Sequence, residues 1–231
     1  MPYIRSRARN DFENECSKLF KLAKKVSYKS SPLTYDHVQL VNQSCIFLLS
    51  ARFEDYTKNL IEDLIYKYKT RGATLSNIPR NIRTKVLLDK QVNFYRSYYN
   101  SSNEKDIIKN ISIDKPYYDL IDDTCLFTTQ VQSSNIIGTN KYPSIKNLKI
   151  LFYRLGIDDI ITKLHAKARK DITTSIESFL SLRESIAHQG APTITFNDVK
   201  RHFDNINETI NHLDRIVYSH IRKESGETFW N

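Results

Sequence analysis

Apolar side chains recur every three or four residues along most of this chain, the spacing of one face of an α-helix. Between about Ser6 and Val26 the stripe is Phe12, Cys16, Leu19, Phe20 and Ala23. Lys18, Lys21, Lys24 and Lys25 crowd its C-terminal half, where cations complement the helix dipole. After a break at Ser30-Ser31-Pro32 a longer stripe runs from about Tyr35 to Lys69. It passes through Val41, Cys45, Leu48, Leu49, Phe53, Tyr56, Leu60 and Leu64, and its length predicts the central strut of the fold. Further on, Leu148, Leu151, Phe152 and Leu155 predict a helix opened by Ser144 or Asn147 and closed by Gly156. Asp158 or Asp159 then begins a shorter piece through Ile160, Ile161 and Leu164. Near the end, Thr195-Phe196-Asn197-Asp198 has the form of a capping box. Phe203, Ile206, Ile210, Leu213 and Val217 follow it in regular alternation, a stripe expected to pack on the preceding helix or on a partner chain. His202, His212 and His220 ride on this last helix and read as structural or surface residues.

The middle of the chain is less regular. From Thr70 to about Pro143, Pro79, Pro116 and Pro143 punctuate short apolar pieces such as Val86 to Leu88 and Asp119 to Phe127, each predicted as a short helix. Thr128 to Tyr142 is polar and predicts a loop. With no hairpin signal and 5 glycines in 231 residues, the fold class expected is all-α, one domain over 1–231 with short helices and loops inserted at about 72–144.

Charge narrows the partners. Lys and Arg outnumber Asp and Glu 35 to 26, a net +9 that favours polyanions, nucleic acid above all. From Ile65 to Asn110 there are ten Lys or Arg against three acids, interleaved with Tyr66, Tyr68, Phe94, Tyr95, Tyr98 and Tyr99. Such a mixture suits single-stranded RNA, with phosphates on Arg80, Arg83, Lys85, Lys90 and Arg96 and bases stacked on rings. The alternative is a solvated face over a Tyr-rich core. Cys16, Cys45 and Cys125 lie far apart with no metal-ligand spacing, so neither a disulfide framework nor a metal or cofactor site is indicated; Cys16 and Cys45 are expected to be buried thiols. The N-terminus lacks the apolar core of a secretory signal, and no apolar run is long enough to span a membrane, so a cytoplasmic protein is expected.

The sharpest chemical signal is Asp171 to Gly190. Ile172, Ile176, Phe179, Leu180, Ile186 and Ala187 mark one helical stripe, and Arg183 falls near its middle, seven residues after Ile176. An unpaired guanidinium among apolar neighbours is costly, so it must reach the surface, meet a carboxylate or serve an anion. Glu54 and Glu62 are the candidate carboxylates. His188 comes five residues later, followed by Gly190 as a helix stop; it is either a C-terminal cap or a proton-transfer group. In an ideal helix positions i and i+5 lie about 140° apart, so the two converge only if the helix ends near His188 or if two chains bring their motifs together.

Arg183-Glu184-Ser185-Ile186-Ala187-His188 followed by Gln189-Gly190 resembles the Arg-polar-x-x-x-His motif of the HEPN superfamily, usually Arg-Asn-x-Ile-Ala-His-Gly. Here Glu184 takes the place of the commoner Asn, Asp or His, and Gln189 separates the His from the Gly. Ala51-Arg52-Phe53-Glu54-Asp55-Tyr56 is similar to a small-aromatic-Glu pattern in the first long helix of these nucleases. The layout resembles stand-alone HEPN-like ribonucleases of bacterial toxin and phage-defence systems. That resemblance implies a HEPN-like helical bundle and a homodimer with a composite cleft. It also implies metal-independent RNA cleavage leaving 2′,3′-cyclic phosphate, with Arg183 and His188 catalytic and Glu184 and Ser185 supporting. An antitoxin or defence-system protein is a further expected partner. The alternative within the superfamily is a non-catalytic module that binds RNA, nucleotide or protein, an outcome that Glu184 would favour by neutralising Arg183.

Overall fold

In the computed structural model, residues 2–28, 32–127, 131–188 and 192–230 are described. Ten α-helices and no β-strand occur among them: α1 (Arg7–Val26), α2 (Tyr35–Thr70), α3 (Arg80–Ser101), α4 (Glu104–Ile113), α5 (Lys115–Asp119), α6 (Ser133–Ile137), α7 (Ile145–Arg154), α8 (Ile160–Ala168), α9 (Ile172–His188) and α10 (Phe196–Glu224). The all-α expectation holds.

Helix α2 is the strut. The Thr34 hydroxyl caps its start by accepting from the His37 N–H, and its 36 residues span about 54 Å at 1.5 Å per residue. Cys45, Ile46, Leu49, Phe53, Tyr56, Leu60, Leu64 and Tyr68 are all buried, so α2 is covered on more than one side. Helix α1 runs antiparallel to it: Phe12 meets Tyr56 edge-on at 6.3 Å, while Cys45 reaches the Leu19 carbonyl at 3.6 Å. Burial pushes the Cys16 thiol up to about 12 and the Cys45 thiol to about 11, so both are inert apolar fillers. The reading of the helical break at Ser30-Ser31 lies outside the described residues.

Helix α10 begins with the expected capping box, Thr195 and Asp198 each bonding the other's backbone N–H. Its stripe from Val199 to Ile221 is buried against α1, α2, α8 and α9. Phe179 of α9 stacks at 5.7 Å on His202, so α9 and α10 pair side by side. Between α7 and α8, Gly156 (φ +85°) turns the chain where a Cβ would come within 3.1 Å of both His220 and Pro79. Among the described residues no helix is long and apolar enough to cross a membrane.

The middle departs from expectation. Val86 to Leu88 belongs to a 22-residue helix, α3, not to a short piece. Only Ile82 and Val86 in its first two turns are buried; beyond them α3 pairs with α4, which buries no residue at all. The two form an exposed helical hairpin. Asp119 to Phe127 is not a helix past Asp119: the Asp122 carboxylate accepts from the Thr124 N–H and hydroxyl, making a turn that leads into a bridge between Thr74 and Leu126. The predicted loop from Thr128 to Tyr142 contains α6, anchored by buried Val131, Ile136 and Ile137.

Candidate functional site

Helix α9 starts where Asp171 accepts from the Thr174 N–H at 3.3 Å and from the Thr174 hydroxyl at 2.5 Å. Ile172, Ile176, Phe179 and Leu180 fix its rotation by burying one face. The last two turns are less covered: Arg183, Ser185 and Ile186 are half-buried, while Glu184, Ala187 and His188 are exposed. Helicity persists through His188, so Arg183 and His188 of one chain project from different sides of the helix, about 140° apart. The stop expected at Gly190, and Gln189 with it, lie outside the described residues. Just beyond, the chain is tied to the start of α2. The Ile194 N–H donates to Gln39 Oε1 at 2.8 Å, and its carbonyl accepts from Asn42 Nδ2 at 3.0 Å.

The guanidinium of Arg183 meets aromatic rings instead of a carboxylate. Its central carbon lies 4.6 Å from the centre of the Phe47 ring on α2 and 5.7 Å from that of Tyr142, at the entrance to α7. Among the described residues it forms no ion pair, and its Nε is covered without a hydrogen-bond partner. The pairing with Glu54 or Glu62 is not realised among the described residues: Glu62 lies 3.9 Å from Lys58, and Glu54 forms no ion pair among them. Glu184, next in sequence, is exposed to solvent and forms no ion pair among the described residues. The Tyr142 hydroxyl is likewise covered and unpartnered. Burial raises its pKa; Arg183 opposes that rise while Glu184 and Glu54 add to it, which places all four groups in one electrostatic neighbourhood.

Around this cation the outer face of α2 is apolar. Leu40, Phe47 and Leu48 are 62%, 41% and 39% exposed, and Ala51 continues the same stripe.

The basic residues of the middle segment lie elsewhere and divide into two groups. Arg83 pairs with Asp123, Lys85 with Asp89 and Lys90 with Asp114, whereas Arg80 and Arg96 are exposed and form no ion pair among the described residues. The rings split as well: Tyr68 is a core residue, while Tyr66, Tyr95 and Tyr99 are 66%, 61% and 82% exposed. The three histidines of α10 contact their own protein. His202 is buried against Phe179, His212 lies 3.8 Å from Glu208, and His220 contacts the Leu155 carbonyl at 3.0 Å. Among the described residues no group of three His, Cys, Asp or Glu side chains is placed to hold a metal ion.

Phe47 and Tyr142 were not singled out for the site by sequence. Phe47 lies on α2 outside the predicted apolar stripe, and Tyr142 closes a polar stretch. Only the tertiary fold shows that both rings meet one guanidinium.

A family model described as RiboL-PSP-HEPN matches residues 10–219. No curated protein matches the chain, and no solved structure matches it.

Proposed function

The chain belongs to the RiboL-PSP-HEPN family, and from that premise we propose that it is a metal-independent endoribonuclease that works as a homodimer, with Arg183 and His188 as its catalytic pair. One observation carries the reading: a permanently charged fork half-buried beside two rings, without an ion pair among the described residues, on the same helix as an exposed imidazole.

RNA supplies its own nucleophile. His188 takes the proton of a 2′-hydroxyl, whose oxygen attacks the adjacent phosphorus while the bond to the 5′-oxygen breaks. Water gives a proton to the departing oxygen and regains one from the imidazolium of His188, which is then ready to act again. The products are a 2′,3′-cyclic phosphate and a 5′-hydroxyl. Positioned proton transfer contributes about 10²–10⁴-fold, and a cationic fork on the crowded phosphate oxygens about 10²–10³-fold. Ser185 and Glu184, between the two on α9, are the supporting residues.

The dimer answers the angular separation along α9, since Arg183 of one chain faces His188 of the other. The exposed apolar stripe Leu40, Phe47, Leu48 and Ala51 beside Arg183 supports it as the surface that two copies bury. Arg80 and Arg96 are left to receive RNA phosphates. A role as a toxin or defence effector in the cytoplasm, restrained by a partner protein, is the wider setting. Co-expressing Arg183→Ala and His188→Ala chains tests the composite site. Each variant alone is expected to be inactive, while mixed dimers hold one intact site and recover up to about a quarter of wild-type cleavage. No recovery would place the pair within one chain.

A further inference from the structure

The ring seat of Arg183 is built from two elements far apart in sequence. Phe47 comes from α2 at 4.6 Å and Tyr142 from the segment entering α7 at 5.7 Å. Tyr142 is itself held in place: its carbonyl accepts from Asn147 Nδ2 at 2.8 Å and from the Ser144 N–H at 2.9 Å. A carboxylate at this position would fix the guanidinium but cancel its charge. An aromatic face attracts the cation through its quadrupole and leaves the net charge intact. Among the described residues the covered Nε has no hydrogen-bond partner, so none of them fixes the group through that nitrogen. The rings are what remain to set it.

Resting on the ribonuclease reading, we propose that Phe47 and Tyr142 are positioning residues that orient the uncompensated Arg183 fork toward a phosphodiester. The segment at 72–144 then serves the site through its last aromatic residue, which ties the turn before α7 to the chemistry on α9. Neither ring touches the reacting atoms. Their effect is to hold the fork in the one direction that meets the phosphate oxygens, and misplacement of such a group costs rate before it costs binding.

The experiment uses the full chain with Phe47→Leu, Tyr142→Leu and Tyr142→Phe. Arginine Nε–Hε correlations are recorded by NMR, with the Arg183 signal assigned by its loss in Arg183→Lys. In the wild type and in Tyr142→Phe the signal is expected to be displaced by ring currents. In each leucine variant it moves back toward the position of solvated arginines. The affinity for a labelled oligonucleotide with deoxyribose at the scissile position, which lacks the nucleophile, is expected to fall a few-fold, and kcat for RNA about 10- to 100-fold. Tyr142→Phe keeps kcat and KM near wild type. An Arg183 signal unmoved in both leucine variants overturns the proposal, and so does a moved signal with oligonucleotide binding and kcat both unchanged. Wild-type protein that does not cleave RNA sinks the nuclease reading alone, because the signal and the oligonucleotide still decide the seat.

Discussion

Two charged groups among apolar neighbours, Asp214 and Arg183, are handled in opposite ways. Asp214, on α10, is wholly buried. It accepts from the Tyr3 hydroxyl, the Ser6 N–H at 3.1 Å, the Ser6 hydroxyl and the Tyr56 hydroxyl at 3.2 Å. Arg9 closes the network from outside, donating to the Tyr3 hydroxyl and to Asn211 Oδ1. That charge is consumed by the fold, which uses it to fasten the N-terminal segment to α2 and α10. Arg183 has rings beside it and forms no ion pair among the described residues. A charge satisfied by its own protein is structural; a charge left over is free to meet a ligand.

The sharpest way to break that contrast is to remove each group in turn. Arg183→Ala should lower RNA cleavage by about 10²–10³-fold while changing unfolding free energy by no more than about 1 kcal/mol. Asp214→Ala should do the reverse: it strands four donors in the interior and costs about 3–5 kcal/mol, read by denaturant unfolding, with Asp214→Asn in between. Equal stability losses would erase the distinction.

Acid sharpens it next. Burial lowers the pKa of His202, His212 and His220 from the ordinary 6.5, with Asp198 opposing the shift at His202, Glu208 at His212 and the Leu155 carbonyl at His220. Groups with folded values below the unfolded one keep the fold fully stable above pH 6.5, and stability drops as the pH falls through the depressed values. The unfolding midpoint should therefore decline from pH 7 to 5, and His220→Gln should flatten the decline. The smallest effect belongs to Tyr142→Phe, which removes a covered, unpartnered hydroxyl and should leave stability unchanged or raise it by up to about 1 kcal/mol.

The legible and illegible parts of the sequence divide along the same physical line. Helices α1, α9 and α10 bury one face each and α2 more than one, so burial writes three-four spacings into the residues, and their extents can be read to within a few positions. Helix α3 buries only Ile82 and Val86 and is completed by α4; its outer residues Leu88, Val92, Tyr95 and Tyr99 face solvent, so the spacing there does not report on a core. The turn at Asp122 is a side-chain-to-backbone device that periodicity does not see. Arg183 and His188 are legible as a motif on one helix. The partners of Arg183 are not, because Phe47 and Tyr142 lie 136 and 41 residues away and only packing unites them.

The central claim is that Arg183 and His188 act on a phosphodiester. Purified protein incubated with RNA, followed by analysis of the ends, tests it most directly. Fragments with 2′,3′-cyclic phosphate and 5′-hydroxyl ends that vanish in a folded His188→Ala variant are the expected result. Cleavage that survives His188→Ala undiminished, or ends carrying 5′-phosphate, would contradict it.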